Sequence, residues 1–86
     1  MLNITVLVSG GGTNLQALLD AQNRGDIPNG RVTCVISSNP KAYALERAQN
    51  AGIETEIIQK KNYESPEQYD EALVALLEKH HTDLVV

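Results

Sequence analysis

An apolar, β-branched run, Ile4-Thr5-Val6-Leu7-Val8, empties into Ser9-Gly10-Gly11-Gly12-Thr13-Asn14. A segment with helical spacing, Leu15, Leu18 and Leu19, follows at once. Few folds accept that order. A buried strand that turns through glycine into a helix N-terminus opens an α/β unit and is a common way to hold a phosphate. Residues without Cβ let the backbone approach an anion closely and turn through positive φ. The first N–H groups of the helix lack intrahelical acceptors and carry the positive end of its dipole. Thr13 and Asn14 have side chains suited to an N-cap and to hydrogen bonds with phosphate oxygens. The three glycines with Thr13 and Asn14 therefore read as a candidate phosphate-binding loop.

The loop is not a Walker A motif, because no Gly-Lys-Ser/Thr closes it. It is also an imperfect dinucleotide fingerprint. Gly10 and Gly12 are in place, but Leu15 stands where the third glycine belongs. The acidic residue that would hold an adenosine ribose after the second strand is missing, since that place reads Ser37-Ser38-Asn39. A single phosphate monoester fits better than NAD. A fragment of an NADP-dependent oxidoreductase, a non-catalytic phosphate- or nucleotide-binding module, and a glycine turn with no ligand are the alternatives.

With 86 residues and 42% hydrophobic content, the sequence makes one globular unit at most. Its net charge of −4 argues against a nucleic-acid or membrane-surface protein, which would show a basic face. Anion binding must then come mainly from backbone dipoles, because no Lys or Arg sits in the loop. The single cysteine, Cys34, excludes an internal disulfide, as expected for a reducing cytoplasm. No apolar stretch approaches membrane-spanning length.

Beyond the first helix, a turn-rich link from Arg24 to Gly30 leads to a second strand over Val32 to Ser38, apolar on both faces. Asn39-Pro40 reads as an N-cap with proline at the first helical position. The helix that follows carries Ala44, Leu45, Ala48 and Ala51 on one stripe and stops at Gly52. Glu54 to Ile58 is a short third strand. Ser65-Pro66-Glu67-Gln68 resembles a capping box before an amphipathic helix with Tyr69, Ala72, Leu73, Leu76 and Leu77 on one face. Asp83-Leu84-Val85-Val86 opens a fourth strand. The β-α-β-α-β-α-β rhythm predicts an α/β, Rossmann-like parallel sheet with crossover helices. An apolar strand still open at Val86 gives the expectation of a truncation within a larger protein.

Val6-Leu-Val-Ser-Gly-Gly-Gly-Thr-Asn-Leu-Gln-Ala17 resembles the start of the phosphoribosylglycinamide formyltransferases (glycinamide ribonucleotide transformylases) of purine biosynthesis. Ile36-Ser-Ser-Asn-Pro-Lys-Ala42, Leu45-Glu-Arg-Ala48, Ala51-Gly-Ile53, Tyr69-Asp70 and Asp83-Leu-Val-Val86 are similar to the same family in order and spacing. The resemblance implies that residues 1–86 are the N-terminal, phosphate-binding half of a formyltransferase domain. It implies transfer of a formyl group from 10-formyltetrahydrofolate to glycinamide ribonucleotide, with Gly11, Gly12, Thr13 and Asn14 gripping the ribonucleotide phosphate. The family's catalytic Asn, His and Asp have no counterpart here, and the missing C-terminal half of the same protein is the implied partner. Where the family often carries a basic residue that contacts folate, this sequence has Pro66, and Lys60 or Lys61 is the substitute on offer.

Other chemistry-bearing residues have plainer readings. Adjacent His80 and His81 near Asp83 lack a third ligand, so no metal is expected, and they read as solvated groups at a helix C-terminus. Cys34, in mid-strand, reads as a small buried apolar residue. Arg47 and Lys41 read as an exposed charged face.

Overall fold

The computed structural model describes residues 1–86. The elements run β1 (Leu2–Val8), α1 (Thr13–Asn23), β2 (Gly30–Ser37), α2 (Tyr43–Asn50), β3 (Glu54–Ile57), a 3-10 turn (Lys60–Asn62), α3 (Pro66–Lys79) and β4 (Leu84–Val85). The strands form one sheet in the order β3-β2-β1-β4, and every neighbouring pair is parallel. The expected α/β architecture is therefore present. The chain steps from β1 to β2 to β3 with α1 and α2 on one face. It then returns across the other face through α3 and joins the opposite edge as β4.

Side-chain alternation sorts the strands onto these faces. Ile4 and Val6 of β1 pack with Val32 and Val35 of β2 against Leu15 and Leu19 of α1 and Ala44 and Ala48 of α2. Val32 and Val35 share this face despite their odd spacing because β2 bulges. Ile4 lies opposite Val32, but Thr5 lies opposite Cys34, which leaves Thr33 as the extra residue. The bulge also strands a polar atom, the buried Thr33 Oγ1, which has no partner. On the other face Cys34, Ile36 and Ile58 form a smaller cluster under Tyr69, Leu73, Leu76 and Leu77. The leucine stripe of α3 thus covers the sheet as expected, although its residues are only half-buried.

One helix start differs from expectation. The second helix starts at Tyr43 with Ala42 as N-cap, and Asn39 does not cap it. Asn39 instead makes a local turn: its Oδ1 accepts from Lys41 N–H at 2.9 Å, and its carbonyl accepts from Ala42 N–H at 3.1 Å. Pro40 sits inside that turn, so the helix cannot begin until the turn has closed. The end of α2 is as expected. Gly52 takes φ 74°, and Ile53 N–H reaches back to Ala48 O at 2.9 Å. For α3, Ser65 Oγ accepts from Gln68 N–H at 3.2 Å, while the reciprocal bond goes from Glu64 N–H to Gln68 Oε1 at 3.0 Å.

His80 is not the solvated group expected. Its ring is 8% exposed and stands between two carboxylates of β3, with Nδ1 at 3.0 Å from Glu54 Oε2 and Nε2 at 2.7 Å from Glu56 Oε2. Lys79 Nζ joins Glu56 Oε2 at 2.9 Å. Alternation puts Glu54 and Glu56 on the face that α3 covers, so its last turn delivers the ring onto them. His81, exposed, takes φ 52° as the chain turns toward β4. Asp83 then ties β4 to β1 by exchanging bonds with Asn3: Asn3 N–H donates to Asp83 Oδ2 and Asp83 N–H to Asn3 O, both at 2.8 Å.

The His80 hydrogen bond, with that of Lys79 second, holds the Glu56 carboxyl below its usual range. A carboxylate with a lower pKa folded than unfolded adds stability above its unfolded value and loses it as pH falls through the folded value. Thermal melts from about pH 6 down to about pH 3 should therefore fall more steeply for the parent than for Glu56→Gln. Parallel curves would show that this cluster contributes nothing to acid sensitivity.

Candidate functional site

The strand order reverses between β1 and β4, because the chain leaves β1 toward β2 and comes back on the other side. In open α/β sheets the crevice outside the carboxyl ends of the strands at such a reversal is the usual ligand site. Ser9 to Gly12 leave β1 at that point and lead into α1.

Three successive carbonyls of this loop are tied down. Gly10 O accepts from Ala44 N–H at 3.2 Å, Gly11 O from Arg47 Nε at 2.8 Å, and Gly12 O from Gln16 N–H at 2.8 Å. All peptide bonds are trans, so each carbonyl opposes the N–H of the next residue across one plane. Tying the carbonyls of Gly10, Gly11 and Gly12 thereby aims the N–H groups of Gly11, Gly12 and Thr13 the other way. Those amides and that of Asn14 meet no backbone acceptor. The result is a row of free donors at the positive end of α1.

The glycines differ in why they are there. Only Gly12 takes positive φ, at 79°, and a Cβ built on it would lie 2.6 Å from Ala44 Cβ and 2.9 Å from Ala44 Cα. Gly10 and Gly11 have ordinary φ and nothing within 4 Å of a built Cβ, so their small size matters only toward whatever approaches from outside. The N-cap of α1 is Gly12, not Thr13 or Asn14, and no side chain caps the helix. The left-handed turn at Gly12 brings the chain into helical geometry one residue early, so Thr13 and Asn14 fall at the first two helical positions. Their exposed side chains make no hydrogen bond within the chain.

Arg47, read from sequence as an exposed charge, is half-buried beneath the loop. Besides Gly11 O, it donates from Nη1 to Gln16 Oε1 at 3.1 Å, and its guanidinium lies 4.8 Å from the Tyr43 ring centroid. The signal for it was present in the sequence. Arg47 follows Ala44 by one helical turn, on the stripe that faces the loop. Lys41 stays on the surface.

Around the loop, other groups are occupied or distant. Buried Ser37 donates from Oγ to Asn39 O at 2.7 Å and accepts from Asn39 N–H at 3.0 Å, which closes the tip of β2 on itself. His80 and His81 belong to the amino ends of the strands, beside Glu54 and Asn3, away from the glycine loop. Cys34 is buried; desolvation, then Glu56 and Glu54, push its thiol up to about 11, as befits an inert core residue. Lys60, and not Lys61, lines a cavity of about 270 Å³ with Tyr63, Ser65, Pro66 and Tyr69, and its Nζ stands 5.5 Å from the Tyr69 ring centroid.

A family pattern described as formyl transferase matches residues 2–86. The chain belongs to the formyl transferase family. It is 42% identical over 86 residues to phosphoribosylglycinamide formyltransferase of Haemophilus influenzae, covering 100% of this chain and 40% of that protein. It is 37% identical over 82 residues to the human trifunctional purine biosynthetic protein adenosine-3, covering 95% of this chain and 8% of that protein. The crystal structure of glycinamide ribonucleotide transformylase 1 from Symbiobacterium toebii superposes with a TM-score of 0.92 at 47% identity, over 99% of this chain and 40% of that one. Those formyltransferases are thus much longer than the 86 residues matched to them.

The two kinds of glycine give a contrast that melting can test. Gly12→Ala should destabilise this formyl transferase domain by about 1–3 kcal/mol, from left-handed strain and the clash with Ala44. Gly11→Ala should stay within about 0.5 kcal/mol of the parent. Adding Ala44→Gly to Gly12→Ala should recover part of the loss. Equal melting of all the single variants would show that the loop does not pack on α2 in this way.

Proposed function

We propose that this chain is the N-terminal, phosphate-gripping part of an enzyme that transfers a formyl group from 10-formyltetrahydrofolate to glycinamide ribonucleotide. One observation carries the reading: the free N–H groups of Gly11, Gly12, Thr13 and Asn14 stand together at the strand-order reversal of a formyl transferase sheet. A phosphate monoester suits that row, because its oxygens accept several N–H bonds at once and its charge complements the helix dipole. Open space above Gly10 and Gly11 lets the anion approach the backbone. The Thr13 hydroxyl and Asn14 amide, both exposed and uncommitted, supply further donors.

In the proposed reaction the ribonucleotide's amine forms a bond to the formyl carbon, and the bond from that carbon to the donor nitrogen breaks. One proton passes from the amine to the donor nitrogen. Catalysis needs the amine held close, a group to move its proton, and donors for the oxygen of the tetrahedral intermediate. Residues 1–86 provide the first. Anchoring the remote phosphate uses binding energy to orient the amine. Proton transfer and oxyanion stabilisation belong, in this reading, to the part of the family's length beyond the 86 residues. For the folate donor, Lys60 is the cation placed beside Pro66 and available to its carboxylates, a contact that Pro66 itself has no donor to make.

Asn14 separates binding from folding. It caps nothing, so Asn14→Ala should leave stability within about 0.5 kcal/mol. Loss of a hydrogen bond to a charged phosphate should weaken glycinamide ribonucleotide binding by about tenfold or more, read by calorimetry on the full-length protein. Unchanged affinity in a normally folded Asn14→Ala variant would remove Asn14 from the site. Absence of any ribonucleotide binding by the parent would overturn the substrate reading as a whole.

A further inference from the structure

We propose that Arg47 is a positioning residue for the phosphate loop, acting through the Gly11 carbonyl rather than by touching the ligand. This rests on the reading of Gly11 to Asn14 as a phosphate grip, and it adds a residue from a different helix to that grip. No Lys or Arg lies in the loop itself, so its anion-binding power resides in the direction of its peptide dipoles. The Gly11–Gly12 peptide has nothing local to fix that direction. Gly11 lacks a Cβ, has open space around it, and precedes the left-handed turn at Gly12. A peptide between two glycines can flip at small steric cost. In one orientation Gly12 N–H faces the site; in the other the Gly11 carbonyl does, and an oxygen there repels phosphate.

The guanidinium selects the first orientation. Nε donates to Gly11 O at 2.8 Å, Nη1 donates to Gln16 Oε1 at 3.1 Å, and the plane lies 4.8 Å from the Tyr43 ring centroid. A planar fork held at three points keeps one N–H aimed at one carbonyl. Lysine has one nitrogen at the end of a flexible stem and cannot reproduce both hydrogen bonds with the stacking. Charge therefore accounts for only part of the effect, and geometry is the larger share.

Arg47→Lys and Arg47→Gln in the full-length protein test this. Both should raise KM for glycinamide ribonucleotide about tenfold, with KM for the formyl donor within about twofold of the parent. Full recovery by Arg47→Lys would mean that positive charge alone acts, and the positioning role would be wrong. Ribonucleotide KM unchanged in both variants, or both KM values rising together, would also overturn it. A second readout is independent of the substrate reading. Titration with inorganic phosphate should shift the Gly12 and Thr13 amide resonances in the parent and shift them much less in Arg47→Lys. If the parent fails to bind the ribonucleotide, the function falls, but these resonances still judge Arg47: equal responses in parent and variant would overturn the inference.

Discussion

The approach of the glycine loop to α2 is the contact on which the site depends. Gly12 lies so close to Ala44 that it has no room for a Cβ of its own. That proximity lets Ala44 N–H reach Gly10 O and Arg47 reach Gly11 O. The free amides are thus a consequence of helix–loop packing, since each trans peptide that presents a carbonyl to α2 presents an N–H to the crevice. Ala44 and Ala48 also complete the buried cluster with Leu15 and Leu19, so the core that holds α1 and α2 on the sheet also shapes the loop.

The opposite end of the sheet is organised by polar contacts. Asn3 and Asp83 lock β4 to β1, and buried Thr5 meets Thr82 hydroxyl to hydroxyl at 2.6 Å. His80 binds the start of β3 through Glu54 and Glu56. These contacts fix where α3 ends and where β4 begins, and with it the strand-order reversal that defines the crevice. His80 therefore holds the sheet's return path, at the end away from the glycine loop.

Much of this architecture was legible in the order of residues. Val8 followed by glycines and then Leu15 announced a strand-to-helix turn, and the spacing of Tyr69 to Leu77 announced a helix with one covered face. Gly52 marked its helix end correctly because a C-terminal glycine works through local φ. Asn39 misled because its side chain has two local uses, a cap or a turn, and the proline after it favoured the turn. Thr13 and Asn14 misled as caps because Gly12, in a left-handed conformation, had already started the helix.

Local chemistry by itself thus determined the β-α alternation, the buried faces, the ends of α2 and α3 marked by Gly52 and Ser65, and the glycine loop as the turn from β1 into α1. These depend on periodicity and on conformational preferences that act within a few residues. Only the tertiary structure decided that Gly12 is held by Ala44, that Arg47 reaches Gly11 across 36 positions of chain, and that His80 bridges two strand carboxylates. Such pairings depend on how separate elements pack, and no residue's own preference encodes its distant neighbour.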